Sequence, residues 1–525
     1  MPLISLNLTK INRDRGEFMK QKKLIALVCL VATLFAIKGE AAYKSSTDTG
    51  ADKLDILENM RRHARENALT PEQKNLLKVT GEMRQNLRRE LDPTKPVPTA
   101  FEGEELTYDQ NTGEFTAVGK VHIIQLDNHQ FDSEMIRGNT IDQEIEIPEK
   151  SHMLQLTDNM PRVTLDGYHT FYNYGTKSGT MENASGKVDH QYVSGKRFEF
   201  YPDHVIIYDG TTTKCSAKVP DYHLSAEKIT IWPNDRMILD NVKYWVKDKI
   251  IYTRDRVVQN LGPDAKGPDY PRMGYNSKSG VWLAQDFNYN LARNVNAKLH
   301  LFASSKQHVR PYADVTWENA HSTYILTYGY QEDNDNNWIK KEPSFIYRYG
   351  DRIGNLPLSY GLEYEIGRWS NNGITSTHSK YTLGLAHDMI VFDPSWYLFL
   401  GTSFSVTRES ANDSTVRGWN VDTTLLKYFD DTWAAYLGYY YASSNKENAL
   451  FAYGLRSYDR KMETGLSYRM DDKNRFVVGF AFDLTSRRLR DIDYYWFHDI
   501  HCSQLVLRYR AKRREWQAHW EFIPW

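Results

Sequence analysis

From about residue 280 to the end, apolar and polar residues alternate with a period of two over long segments. Leu358, Tyr360, Leu362, Tyr364 and Ile366 alternate with Ser359, Gly361, Glu363 and Glu365. Phe476, Val478, Phe480 and Phe482 alternate with Val477, Gly479, Ala481 and Asp483, and Met462, Thr464, Leu466 and Tyr468 with Glu463, Gly465, Ser467 and Arg469. Successive side chains of a strand point to opposite faces, so each segment carries one apolar, aromatic face and one small or charged face. A sandwich buries its apolar face and seldom needs an aromatic at nearly every strand end. In a transmembrane barrel the apolar face meets lipid, the polar face meets a wet lumen, and Tyr and Trp form interfacial girdles. About 14 such segments are counted, an even number as bacterial barrels require. They begin near Trp282, Lys298, Tyr312, Tyr324, Phe345, Tyr360, Tyr381, Leu398, Val421, Tyr436, Met462, Val477, Leu505 and Trp516. In the last, Trp516, Trp520 and Phe522 share a face, and Pro524 shifts the phase before Trp525, which predicts a bend or stop there.

Residues 100 to 252 follow a different rhythm, with short β-type runs separated by Gly, Asn and Asp. Tyr108, Gly113, Phe115, Ala117, Gly119, Lys120 and Val121 are echoed by Tyr174, Gly179, Met181, Ala184, Gly186, Lys187 and Val188, with one residue inserted. A repeated strand–turn–strand unit buries its apolar face only against its neighbours, which predicts an elongated β-solenoid or open jelly roll. Further strands are expected at Phe198–Phe200, Val205–Tyr208, His223–Ala226 and Lys228–Trp232.

Upstream the signal is helical. Residues 51 to 91 are rich in Lys, Arg, Glu, Leu and Met, with a helix start at Thr70, Pro71 and Glu72. Leu76, Met83, Leu87 and Leu91 make one amphipathic stripe, and prolines 93, 96 and 98 mark a linker. The pattern suits a solvated helical spacer over residues 43–99; a dedicated partner-binding helix is the alternative. Before it, basic Lys20–Lys23, the apolar run Leu24–Ile37 and small Ala41 and Ala42 spell a signal peptide over residues 1–42, with Met19 a candidate true start. The run is short for a membrane span.

Composition narrows the class further. The 66 Lys+Arg against 67 Asp+Glu give a net charge of -1, so no basic excess points to nucleic acid. Past residue 40 no stretch approaches the ~18–20 apolar residues of a spanning helix, while 13% of the chain is aromatic and eleven of its 13 Trp lie beyond residue 270. Without Cys29, the only cysteines are Cys215 and Cys502, which an exporting compartment can oxidise. No phosphate loop encodes an energy source. Nor is there a Gly-x-Ser-x-Gly nucleophile motif, so no enzyme, cofactor or catalytic residue is expected. His498, Asp499, His501 and Cys502 are the one dense set of potential metal ligands, but consecutive strand positions face opposite ways.

An exported β-repeat region followed by an aromatic barrel resembles the LptD family, also called OstA, of outer-membrane lipopolysaccharide-assembly proteins. The two repeats look like its β-jellyroll motif. Thr211-Thr212-Thr213-Lys214-Cys215 with Pro220–Ile229 resembles its Thr-x-Cys segment, and Asp493-Tyr494-Tyr495 with Asp499 and Cys502 resembles its Cys-bearing segment near the barrel's end. The resemblance implies a periplasmic jelly roll or solenoid over residues 100–255, an outer-membrane barrel over 270–525, and a disulfide joining Cys215 to Cys502; two unpaired, packed thiols are the alternative. It also implies lipopolysaccharide as cargo, with acyl chains in a groove lined by Val121, Ile123, Phe198, Phe200, Ile206, Leu224, Ile229 and Ile231; the alternative is that these residues form the domain's own core. Release would be sideways between first and last barrel strands, expected at Trp282, Phe287 and Tyr289 and at Trp516, Trp520 and Phe522. The implied partners are a periplasmic bridge protein of like fold docking by strand addition, an outer-membrane lipoprotein plug and the barrel-insertion machinery. The chief rival is a general porin; a soluble periplasmic lipid-binding protein is a third reading. About 255 residues make a short barrel for the family, whose barrels lie at the large end of the bacterial range.

Overall fold

The computed structural model describes residues 49–66, 68–87, 97–158, 160–217, 219–233, 235–261, 270–292, 294–333 and 337–522. The signal peptide, Met19, Leu91, most of the proline linker and Pro524 fall outside them. The chain divides into two compact units.

One unit is a closed antiparallel barrel, from Arg272–Asn276 to Glu515–Phe522, together with a helix, α1 (Gly50–Glu66). The barrel has sixteen strands rather than fourteen, with His308–Val309 and Tyr312–Glu318 forming one strand interrupted at Pro311. The two unexpected strands are Arg272–Asn276 and Arg488–Ile500. The first spans five residues and includes a glycine. In the second, the consecutive aromatics Tyr494 to Phe497 hide the alternation. Elsewhere the predicted faces hold. Leu362, Ile366, Leu466, Tyr468, Phe476 and Phe480 are exposed on the outer surface, whereas Glu365, Glu463, Ser467, Val477 and Ala481 are buried inside. Trp317 and Trp433, beside the turns at the end where the chain enters and leaves the barrel, and Trp419 and Trp516, toward the other end, are all exposed. Two aromatic girdles around an apolar belt are the signature of a membrane-spanning β-barrel.

The other unit joins a second helix, α2 (Pro71–Leu87), to one antiparallel sheet of twelve strands, Thr99–Glu102 to Lys249–Asn260. From Glu114–Gln125 onward each strand pairs with the next in sequence, which is a meander. Several predicted runs prove to be parts of longer strands, because the alternation slips one place in mid-strand. Val163–Asn173 buries 163, 165 and 167 and then 170 and 172; Val205–Thr213 buries 205 and 207 and then 210 and 212; Arg236–Val246 buries 237 and 239 and then 242 and 244. His169, Asp209 and Asn241 stand in those slips with positive φ, as do Lys120 and Asn183 in their strands. Such bulges bend a strand. Repeated strand after strand, they fold the sheet along its midline, and inward residues of both halves meet: Tyr172 of one half lies 4.9 Å from His129 and 5.0 Å from Phe131 of the other, between ring centroids.

Neither helix is a free spacer. α2 opens with a reciprocal capping box, Thr70 N–H to Gln73 Oε1 at 3.1 Å and Gln73 N–H to Thr70 Oγ1 at 3.2 Å. It buries Gln73, Leu76 and Thr80, with Leu76 against Ile124 and Leu154 beside two hairpin ends of the sheet.

Candidate functional site

Alternation along the later barrel strands turns Leu426, Tyr428, Ala434, Tyr436, Val477, Tyr495, Phe497 and Val506 inward, and α1 packs on them through Ala51, Leu54 and Leu57. A fully buried Leu contributes about 1.5–3 kcal/mol relative to exposure, so Leu54 and Leu57, with a smaller share from Ala51, account for docking on one wall. Thr49 and Asp52 cap the helix start with paired bonds of 2.8 and 3.2 Å. Gly50 sits directly on the Tyr436 ring, leaving no room for a Cβ, and donates its N–H to Glu463 Oε2 at 3.1 Å. The same ring covers Gly465 and Gly479 of the next two strands.

Charges complete the docking. Asp55 pairs with Arg475, Glu58 with Arg469 and Arg62 with Asp499. Lys53 donates to Thr424 Oγ1 at 2.8 Å, and the Arg61 guanidinium lies 3.7 Å over the Tyr428 ring. The helix therefore runs along the lumen wall from mid-barrel to the end where the chain enters. It covers one wall only, since Ile56 is 47% exposed.

The opposite mouth carries the longest connection, 445–459. Phe451 of this loop packs with Ile339 and Trp369. Gly454 N–H donates to Asp333 Oδ2 at 2.9 Å, and Arg456 pairs with Asp422 at 2.7 Å. The loop thus reaches across the mouth from its own strands to those around residues 333–369. Beneath it lie a buried ion pair, Lys341–Glu365 at 2.7 Å, and a buried hydrogen bond between His378 Nδ1 and Glu409 Oε1 at 2.6 Å, with the His378 ring stacked on Trp369. The lumen is therefore lined by its own helix at one end and covered by its own loop at the other.

The barrel closes where Arg272–Asn276 meets Glu515–Phe522, among the described residues through four residue pairs from Met273↔Trp520 to Asn276↔Gln517. Fourteen join Leu358–Asn371 to Ile374–Asp393. Of the residues expected at the closing pair, Trp516, Trp520 and Phe522 stand in Glu515–Phe522, whereas Trp282, Phe287 and Tyr289 stand one strand further, in Gly280–Ala292.

In the sheet unit, Val121, Ile123, Phe198, Phe200, Leu224, Ile229 and Ile231 all face the interior and are buried. Ile206 does not; its neighbour Ile207 takes that place. Among the described residues, Tyr172, Phe198 and Ile229 are fully buried in this interior. A space of about 10 Å³, room for one water, remains among Gln191, Thr212, Tyr222, Leu224 and Met237. Where hairpin ends of the two half-sheets meet, Lys177 pairs with Asp127 at 2.7 Å and donates to Gln125 Oε1 at 2.5 Å. Burial lowers the Lys177 ammonium below its usual range, Asp127 working against it. Burial, with Lys177 adding to it, holds the nearby His129 imidazole well below its ordinary value.

Both Cys215 and Cys502 are disulfide-bonded. Asp499 is held by Arg62 and by Gln504 Nε2 at 2.8 Å, and His498 meets Asn474 at 2.8 Å, so these two residues of the suspected ligand set are engaged separately.

No family model and no curated protein matches the chain. Solved structures with similarity include BamA from Haemophilus ducreyi lacking POTRA domains 1–3, at 12% identity over 52% of this chain and 73% of that one, with a TM-score of 0.33. Salmonella typhi OmpF in complex with daunomycin follows at 10% identity, 48% and 95% coverage and a TM-score of 0.26. The outer membrane channel DcaP of Acinetobacter baumannii gives 8%, 62% and 86%, and 0.25.

Proposed function

We propose that this chain is an outer-membrane barrel that accepts lipopolysaccharide from a periplasmic bridge protein and releases it sideways into the outer leaflet. The observation that carries the reading is the four-pair closing seam. Each backbone group left unpaired in hydrocarbon costs several kcal/mol, so a short seam parts at a fraction of the cost of a fourteen-pair one. A cargo with acyl chains and a glycan head needs such an exit, because its two parts need different surroundings. The lined and covered lumen supports transfer over free diffusion through an open pore.

The sheet unit would lie in the periplasm and hold acyl chains between its two halves, with Val121, Phe198, Leu224 and Ile229 as the apolar lining. That lining is buried, so loading requires the halves to part. An outer-membrane lipoprotein would share the lumen with α1, and the barrel-insertion machinery would place the strands.

One observation favours a second reading, a gated channel: porins of sixteen strands enclose an aqueous channel, and α1 covers a single wall. Photo-crosslinking residues at Val121, Leu224 and Met273 separate the two. Lipopolysaccharide adducts at these sites, with no steady conductance in planar bilayers, support transfer; conductance without adducts overturns it in favour of the channel.

A further inference from the structure

The turns at the mouth opposite the chain's entry are unevenly charged. Four of them follow one another around the barrel and flank the seam: 484–487, 511–514, 277–279 and 305–311. They carry Arg487, Lys512, Arg513, Arg514, Lys278, Lys306 and Arg310 and no carboxylate within the turns; Arg488 directly follows the first, and Asp483 and Glu515 stand at the edges of the first two. Some of these cations are occupied. Arg513 pairs with Asp491 at 3.1 Å, Lys306 donates to the Ser277 carbonyl at 2.9 Å, and Arg310 lies over Trp338. Arg487, Arg488, Lys512 and Arg514 are exposed and make no ion pair among the described residues.

Two further observations say what such an arc would take. Directly beneath it the outer surface is apolar, with Val281 66% and Trp516 53% exposed. At the opposite rim two neighbouring turns carry Asp430, Asp431, Asp471 and Asp472. A rim that only needed to stay hydrated would intersperse both signs; here the four turns beside the seam hold only cations, while the carboxylates Asp333, Asp413, Glu447 and Asp459 stand in other turns of the same mouth, and the positive arc stands on a lipid-facing wall.

We infer that this arc is a binding site for the phosphate groups of an anionic lipid headgroup in the leaflet at that end. Guanidinium and ammonium groups suit phosphate oxygens, and the apolar wall below accommodates the acyl chains of the same molecule. The inference deepens the proposed function by giving the released headgroup a landing place beside the seam. It rests on that reading only in so far as the barrel spans a membrane.

The test uses the full chain in neutral detergent, titrated with a bisphosphorylated diglucosamine lipid and with its dephosphorylated form, bound lipid being counted by native mass spectrometry. The wild type binds the phosphorylated lipid at least tenfold more tightly than the other. The variant Arg487→Gln/Arg488→Gln/Lys512→Gln/Arg514→Gln loses that preference, while Asp430→Asn/Asp431→Asn keeps it. Heat-modifiable migration on gels reports that each barrel is folded; should the fourfold variant fail to fold, Lys512→Gln/Arg514→Gln replaces it, with a loss of at least threefold. Equal binding of the two lipids, an unchanged preference in the variants, or full displacement by inorganic phosphate would each overturn the lipid site. Rim binding without crosslinks at Val121, Leu224 and Met273 would sink the transfer reading and leave this one standing; adducts without a rim preference would do the reverse.

Discussion

Gly50 of α1 lies flat on the ring of Tyr436, so close that a Cβ would overlap the aromatic carbons. The position tolerates only glycine while the helix stays docked.

The substitution Gly50→Leu is therefore expected to displace α1 from the wall without disturbing the strands, whose pairing does not involve it. In planar bilayers the variant should show larger or longer-lived conductance steps than the wild type. Identical traces would mean that the helix does not control passage.

Arg475 and Asp55 test the electrostatic part of the docking. Breaking a buried pair by removing one partner costs about 3–5 kcal/mol, whereas exchanging both for apolar groups is often neutral. Asp55 is partly exposed, so the lower end of that range is expected. Arg475→Met should loosen α1, seen as faster proteolysis within residues 50–66, and adding Asp55→Leu should restore protection. If the double variant is as labile as the single, the pair is not what holds the helix.

His129 gives the sheet unit a pH dependence of known sign. Its folded-state pKa is depressed by burial and then by Lys177, so the folded form binds fewer protons than the unfolded one. That stability is fully present above the unfolded value of about 6.5. It falls as pH drops toward the folded pKa, by up to about 1.4 kcal/mol per unit. Protection factors of peptides covering 129–172, with exchange corrected for its intrinsic slowing at lower pH, should fall between pH 6.5 and 5, and His129→Phe should flatten the profile. A wild-type profile that is already flat would remove His129 from the account.

The disulfide predicts a simple gel result. Non-reduced protein should migrate differently from reduced protein, and Cys215→Ser or Cys502→Ser should abolish the difference.

What the sequence made legible follows from solvent. Along Leu358–Ile366 and Phe476–Phe482 one face meets hydrocarbon, so the alternation is strong and the strands are found. Arg488–Ile500 breaks the rule because Tyr495 and Phe497 face α1 inside while Tyr494 and Trp496 face out; aromatics on both faces erase the period. The bent strands were legible only in pieces, since a single positive-φ residue such as Asp209 resets the phase without a compositional mark. The fate of α1 left no signal at all. Asp55, Glu58 and Arg62 read as a solvated face, and a polar lumen asks for the same residues that water does. For the candidate site, Val121, Phe198 and Leu224 were legible as inward residues, but not how completely they are buried.

The helix Gly50–Glu66 precedes its docking wall, strands between Met389 and Val506, by more than three hundred residues. Contacts of such separation form late, after the loop between them has been closed. The helix emerges first from export, yet its partners arrive last. Until the final hairpins form, Ala51, Leu54 and Leu57 have no surface of their own barrel to rest on. Order of assembly is thereby written into the chain: either the last strands close around a helix already in position, or the helix threads a finished ring, and only the first route spares it a passage through a narrow polar opening.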